Sequence, residues 1–174
     1  SDTPPASAQI NWTFSDGNTG SQGTGGALQA TGSTTVNVTA ANDAPTDLAL
    51  SANTVAENAA NGTSIGTVSG TDPDSGDTQS YSLTDTAGGR FAIDSSTGEI
   101  TVANGTLLNY EAAASHSVTV RVTDSGGLTY DETFTVNLTN VNESPTGADA
   151  TVTINEDGSH TMTAANFGFS DVDA

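Results

Sequence analysis

Carboxylate and amide side chains recur along this sequence at spacings suited to holding a hard cation. Glu57 precedes the pair Asp72 and Asp74 by 15 residues, and Glu156 precedes Asp171 and Asp173 by the same interval. Asn109 and Glu111, then Asp124, then Asn142 and Glu143 stand between these two sets. Asn42 and Asp43 lie 100 residues ahead of Asn142 and Glu143. All of these offer hard oxygen donors. Six to eight oxygens at about 2.3–2.6 Å describe a calcium site, whereas magnesium takes fewer protein ligands and keeps its waters. Acids scattered over a solvated face would not fall at matching intervals, so the pattern favours ligation.

Other chemistries fit less well. Gly62-Thr63-Ser64-Ile65-Gly66 has the outline of a nucleophile elbow, but it lies on a strand pattern with no histidine base. His116 and His160 have no second histidine or cysteine at ligand spacing and read as surface or strand-edge residues. Asp72, Asp74 and Gly76 open like a helix–loop–helix calcium loop, yet the position that needs a bidentate Glu is Leu83. Paired acids also suggest glycoside hydrolysis, but no aromatic sugar platform accompanies them. The chain therefore reads as a non-enzyme. Arg90 and Arg121 are its only Lys or Arg residues and read as structural partners for carboxylates.

The composition excludes whole classes of function. The 174 residues include 21 acids, two arginines, no lysine and no cysteine, and the formal net charge is −19. Leu, Ile, Val and Phe number 30 of the 174, a share so low that disorder competes with a packed fold. Two arginines cannot neutralise a phosphate backbone, so nucleic-acid partners drop out. An anionic bilayer would repel the chain, and no apolar run approaches the roughly 20 residues of a spanning helix. Direct membrane insertion drops out as well. Absent cysteine excludes disulfides and thiolate metal sites.

Internal repetition decides between disorder and fold. Residues 35–45 read TVNVTAANDAP and residues 135–145 read TVNLTNVNESP, an ungapped offset of 100. Segments 55–74 and 154–173 match at an offset of 99. The period is one domain long. It divides the chain into the C-terminal strands of one repeat (1–43), a whole repeat (44–143) and the N-terminal strands of another (144–174). Apolar residues alternate at Ile10, Trp12 and Phe14, at Val118, Val120 and Val122, and at Phe134, Val136 and Leu138, which is the period of half-buried strands. The whole repeat is expected to form seven strands near 47–55, 63–70, 80–84, 90–94, 99–103, 116–123 and 131–139. Seven short strands in a unit of this size imply an all-β, immunoglobulin-like sandwich with Greek-key connections.

Alternate strand ends of a sandwich lie at opposite poles. Asp72, Asp74 and Asp124 then share an upper pole with Asn42 and Asp43. Glu57, Asn109 and Glu111 share a lower pole with Asn142 and Glu143, facing Asp171 and Asp173. Two carboxylates about 5 Å apart repel by roughly 3 kcal/mol at an effective dielectric near 20. Four at one site make six such pairs, comparable with the about 5–15 kcal/mol stability of a whole domain. Such a junction must splay without cations and stiffen with them.

The motifs resemble a known family. Phe91-Ala92-Ile93-Asp94-Ser95-Ser96-Thr97-Gly98-Glu99-Ile100 is similar to the core signature of cadherin repeats. Leu108-Asn109-Tyr110-Glu111, Val120-Arg121-Val122-Thr123-Asp124, Ala56-Glu57-Asn58 and Asp72-Pro73-Asp74 resemble that family's calcium motifs. Asn42-Asp43-Ala44-Pro45 and Val141-Asn142-Glu143-Ser144-Pro145 resemble its linker in the short form of bacterial cadherin-like tandem repeats. The resemblance implies that Asp43 and Glu143 bridge Ca²⁺ ions with Asn42 and Asn142. It also implies Asp72, Asp74 and Asp124 as ligands above, and Glu57 and Glu111 below. Asn109 stands where the family has Asp, and Asn140 where its linker opens with Asp.

The expected function is therefore a calcium-rigidified structural and adhesion repeat of a large secreted cell-surface or biofilm-matrix protein, similar to the RTX-type bacterial adhesins. Its partners would be neighbouring repeats of the same chain, with matrix polysaccharide or like copies beyond them. Lysine depletion and absent cysteine suit export. A competing reading is a carbohydrate-binding accessory module of a polysaccharide-degrading enzyme, for which Trp12, Tyr81, Tyr110 and Tyr130 are the aromatic candidates. Trp12, however, sits on an apolar stripe expected to be core. Homophilic cell–cell adhesion is a third reading.

Overall fold

A computed structural model describes residues 6–17 and 28–173. Its centre is a sandwich of two four-stranded sheets. The strands in chain order are β1 (Ser7–Ser15), β2 (Gln29–Asn37), β3 (Asp47–Leu50), β4 (Thr54–Ala56) and β5 (Ser64–Thr71). They continue with β6 (Ser80–Asp85), β7 (Phe91–Ile93), β8 (Glu99–Val102), β9 (Ser115–Thr123) and β10 (Thr129–Thr139). One sheet has the order β4-β10-β9-β6 and the other β3-β5-β8-β7. The crossovers between sheets are those of a Greek-key sandwich.

Alternation along the strands places the core. Val118, Val120 and Val122 of β9 are fully buried, as are Val136 of β10 and Ile100 of β8, and Phe91 and Val68 pack with them. Thr and Ser fill the outward positions, so few aliphatics suffice for a thin sandwich.

The single strand expected over 47–55 is two strands. β3 pairs antiparallel with β5, whereas β4 pairs parallel with β10 in the other sheet. Residues 51–53 carry the chain across. The Ser51 N–H donates to Thr67 O at 3.0 Å on one side, and the Asn53 side-chain amide donates to Thr135 O at 2.9 Å on the other. The inward phase shifts across the switch, from Leu48 and Leu50 to Val55 and Glu57, with residues 51–54 exposed between them.

The segment Phe91–Ile100 builds a turn. One Asp94 oxygen accepts from the N–H and hydroxyl of Ser96 and from the N–H and hydroxyl of Thr97, at 2.7–3.0 Å. The Ser96 hydroxyl, then these N–H donors, hold the Asp94 carboxyl far below the usual carboxylate range. Gly98 closes the turn at φ +72°, where a side chain would also strike the Val68 carbonyl.

β1 and β2 pair with each other in a separate two-stranded sheet. Trp12 is 38% exposed there and Phe14 66%, their ring centroids 5.0 Å apart. The expectation of a core Trp12 is corrected: among the described residues no second sheet covers this hairpin. Beyond β10, Thr146 and Ser170 form an antiparallel bridge, and Ala164–Phe167 makes a short 3-10 turn.

Candidate metal centres

The lower pole gathers the ends of three elements. Glu57 follows β4, Glu111 precedes β9 and Glu143 follows β10, and one oxygen from each lies within 4.8 Å of the others. Glu57 is only 2% exposed. Backbone amides aim it: its Oε2 accepts from Tyr110 N–H at 2.7 Å and its Oε1 from Val141 N–H at 2.8 Å. Glu111 accepts from the Asn140 side chain at 2.9 Å, and Glu143 Oε1 accepts from the Asn58 side chain at 2.7 Å. The Glu143 backbone N–H donates to Asp173 Oδ2 at 2.6 Å, which brings in the segment beyond the linker. Partial burial, then the charges of Glu57, Asp173 and Glu111, push the Glu143 carboxyl above its ordinary value.

The upper pole repeats this plan with shorter acids. Asp72, Asp77 and Asp124 bring one oxygen each within 4.8 Å of the others. Asp124 is 5% exposed, and accepts from Leu128 N–H at 2.8 Å and from the Asn42 side chain at 2.9 Å. The Asp43 backbone N–H donates to Asp74 Oδ2 at 2.7 Å, the counterpart of the Glu143–Asp173 bond. The Asp74 N–H donates to Asp72 Oδ1 at 2.8 Å, as the Asp173 N–H does to Asp171 Oδ1 at 3.1 Å. Both linkers are thus clamped by one Asp-x-Asp turn. Gly126 makes room for the Asn42 side chain that donates to Asp124, because a Cβ there would overlap it.

Most of the residues expected at each pole do gather there, with two differences. Asp77 is not among the expected ligands, yet it joins Asp72 and Asp124, and its Oδ2 accepts from Ser125 N–H at 3.2 Å. Hydrogen bonds, the strongest from Ser125, lower its carboxyl below the ordinary value. The only sequence signal was its place in the same loop as Asp72 and Asp74. Asn109, by contrast, spends its side-chain oxygen on Ala112 N–H at 2.6 Å, closing the turn ahead of β9. Asn142 donates its amide to Glu143 O at 3.2 Å.

The donor chemistry fits a hard cation. Among the described residues, four buried side-chain polar atoms have no hydrogen-bond partner, and three are carboxylate oxygens of these poles: Asp72 Oδ2, Glu143 Oε2 and Asp173 Oδ1. A buried carboxylate oxygen without a donor is costly unless a cation meets it. The fourth is His116 Nε2, whose ring lies 6.3 Å from Phe91. Burial first, then the Arg90 charge, lowers the His116 pKa. His160 is exposed and meets Asn166 Oδ1 at 3.2 Å. Arg121 pairs with Asp131 at 2.7 Å as expected, but Arg90 instead donates to the carbonyls of Ala87 and Leu107. Tyr81, Tyr110 and Tyr130 pack against the core and form no exposed platform.

Comparison with known proteins gives this geometry a context. The model of the cadherin domain family matches residues 52–155, more than half of the chain. No curated protein matches. The structure of protocadherin gammaB7 EC3-6, a cis-dimer, is similar with a TM-score of 0.64 and 23% identity, over 85% of this chain and 36% of that one. Mouse cadherin-23 EC22-24 is similar with a TM-score of 0.62 and 24% identity, over 84% of this chain and 47% of that one. Mouse clustered PcdhgC3 EC1-3 has a TM-score of 0.56 and 29% identity, over 78% of this chain and 44% of that one. The chain spans less than half the length of each of these structures.

Proposed function

Since the chain belongs to the cadherin domain family, a family of adhesion modules, we propose that it is a structural repeat that binds calcium where successive sandwiches meet. The observation that carries this reading is the trio of partnerless buried carboxylate oxygens on Asp72, Glu143 and Asp173. Calcium supplies positive charge and a coordination shell of six to eight oxygens at such a place. Asp72, Asp77 and Asp124 hold the upper centre, with Asn42, Asp43 and Asp74 fixing the linker across it. Glu57, Glu111 and Glu143 hold the lower one, with Asp171 and Asp173 closing it from beyond the linker. Asn109 and Asn142 order the turn and linker that frame it.

The chain's own contribution is positional. Backbone N–H groups aim Glu57, Asp74 and Asp173, so acids from separate segments stay converged despite their mutual repulsion. In this reading residues 1–43, 44–143 and 144–174 belong to successive tandem units, and each linker becomes stiff when its site is filled. The parent is an exported surface or matrix protein of the bacterial adhesin type. Its nearest partners are its own neighbouring repeats, and its calcium affinity lies at about 10⁻⁴–10⁻³ M, as in extracellular modules.

Calcium titration followed by small-angle scattering and thermal unfolding tests this. The expected result is a longer maximum dimension and a higher Tm with calcium, and loss of the stiffening in Glu143→Ala. No response to millimolar calcium sinks the reading.

A further inference from the structure

His116 opens the inward stripe that Val118, Val120 and Val122 continue along β9, and it is the polar member of that stripe. Its ring tilts against Phe91, and its Nε2 is buried with no hydrogen-bond partner. A neutral imidazole tolerates such a place. An imidazolium must donate from both nitrogens, and Nε2 meets no acceptor there.

The charges around it do not compensate. On β10 the residue opposite is Val136, and Glu132 further along that strand accepts from Leu48 N–H at 3.1 Å. Asp85, at the end of β6, accepts from Ala87 N–H at 2.9 Å. Tyr110 and Glu111 precede β9; the Tyr110 N–H is bound to Glu57, and Glu111 to the Asn140 side chain. Arg121 points its charge at Asp131 on the same sheet. Of the charges on these elements, the one that acts on the imidazole is a second cation, Arg90, placed directly before β7.

Arg90 is also a latch. Its Nη1 donates to Ala87 O at 2.7 Å and its Nε to Leu107 O at 3.0 Å, while its own carbonyl accepts from Ala103 N–H at 2.8 Å. These bonds hold the short 3-10 turn Gly105–Leu107 against the loop that leads into β7. The chain leaving that turn seats the lower pole: Leu108 O accepts from Asn58 N–H at 3.1 Å, and the Tyr110 N–H aims Glu57. We propose that His116 makes this latch acid-sensitive: its protonation sets an unpartnered imidazolium beside Arg90 and frees the Gly105–Leu107 turn, and with it the Tyr110 amide, from the sandwich.

The direction follows from linkage. Above the ordinary histidine value of about 6.5, folded and unfolded chains both hold the ring neutral and stability is complete. Burial first, then Arg90, lowers the value in the fold. As pH falls below the ordinary value the unfolded chain takes up a proton that the fold resists, so stability is lost until the lowered value is passed. Opening then grows by about tenfold for each pH unit that separates the two values.

The chain has two histidines, so His160→Gln leaves His116 as the sole imidazole. Proton NMR of its ring C–H, titrated in chelator, should give a midpoint below the ordinary histidine value. Arg90→Gln should raise that midpoint, and Arg90→Lys, which keeps the charge, should not. In the second measurement, hydrogen exchange of the Leu108 and Tyr110 amides is compared between wild type and His116→Phe or His116→Gln at matched pH. Wild type should exchange faster at acidic pH and converge with the variants above neutrality. A midpoint at the ordinary value overturns the proposal, and so does one that Arg90→Gln leaves unmoved. A lowered midpoint with equal exchange at every pH means a buried histidine that works no latch, and overturns it too. Because every arm is run without calcium, these outcomes are separate from those of the calcium titration.

Discussion

Glu57 shows how one buried acid can tie separate segments together at a cluster of carboxylates. Its two oxygens accept from Tyr110 and Val141, tying the turn ahead of β9 to the outgoing linker. Glu57→Ala strands both N–H groups, at about 1–3 kcal/mol for each one left unsatisfied. Urea unfolding in chelator should show that loss even without calcium, whereas Glu143→Ala should show its main effect only with calcium. Glu143 also sets a pH dependence. Its carboxyl is raised in the folded protein by burial and by Glu57, Asp173 and Glu111, so the fold binds that proton more tightly than the unfolded chain does. The resulting stabilisation is complete below the ordinary carboxyl value and is lost as pH rises through the raised one. In calcium-free protein, Glu143→Gln should therefore gain stability over wild type as pH rises through that window. A difference independent of pH would contradict the convergence of charges at this pole.

At the scale of elements, the strands were legible because Thr/Val alternation is the direct imprint of a half-buried sheet. The break between β3 and β4 was missed although the apolar phase shifts from Leu48 and Leu50 to Val55, because so short a polar interval as 51–54 does not by itself separate two strands. The turn from Phe91 to Ile100 was recognisable as a motif, and its chemistry turns out to be that of a tight Asp94 cap with Gly98 behind it. The Asn42 contact with Asp124 depends on a small residue far from Asn42 in sequence. Gly126→Ala puts a methyl group where the Asn42 side chain lies. It should weaken the upper centre and leave the lower one intact, read by isothermal titration as loss of one class of calcium sites with little change in Tm. If both classes survive, Asn42 does not need its bond to Asp124.

For the whole molecule, net charge and fold have to be reconciled. A formal charge of −19 opposes compaction, yet two poles concentrate acids from segments far apart in sequence. Monovalent salt and calcium act on this differently. Salt shortens the Debye length to about 3 Å at 1 M and screens exposed charges, but partly buried groups much less. Molar sodium chloride should thus raise the Tm of the ion-free protein less than millimolar calcium does. Equal effects would mean diffuse screening and no built site.

The sequence alone determined the family of folds and the residue types gathered at each pole, because alternation and matching offsets are properties of the chain itself. It also placed Asn42, Asp43 and Asp124 together, and Glu57, Glu111 and Glu143 together, since strand ends at one pole follow from strand count. Only the tertiary structure decided which of these oxygens meet a hydrogen-bond donor and which do not. Asp77 enters because its loop folds back toward Ser125, Asp74 gives an oxygen to the Asp43 N–H, and Asn109 closes its own turn. Spacing fixes separation along the chain. The direction of each carboxylate, and the donors it has already met, arise only when turns from distant segments pack against one another.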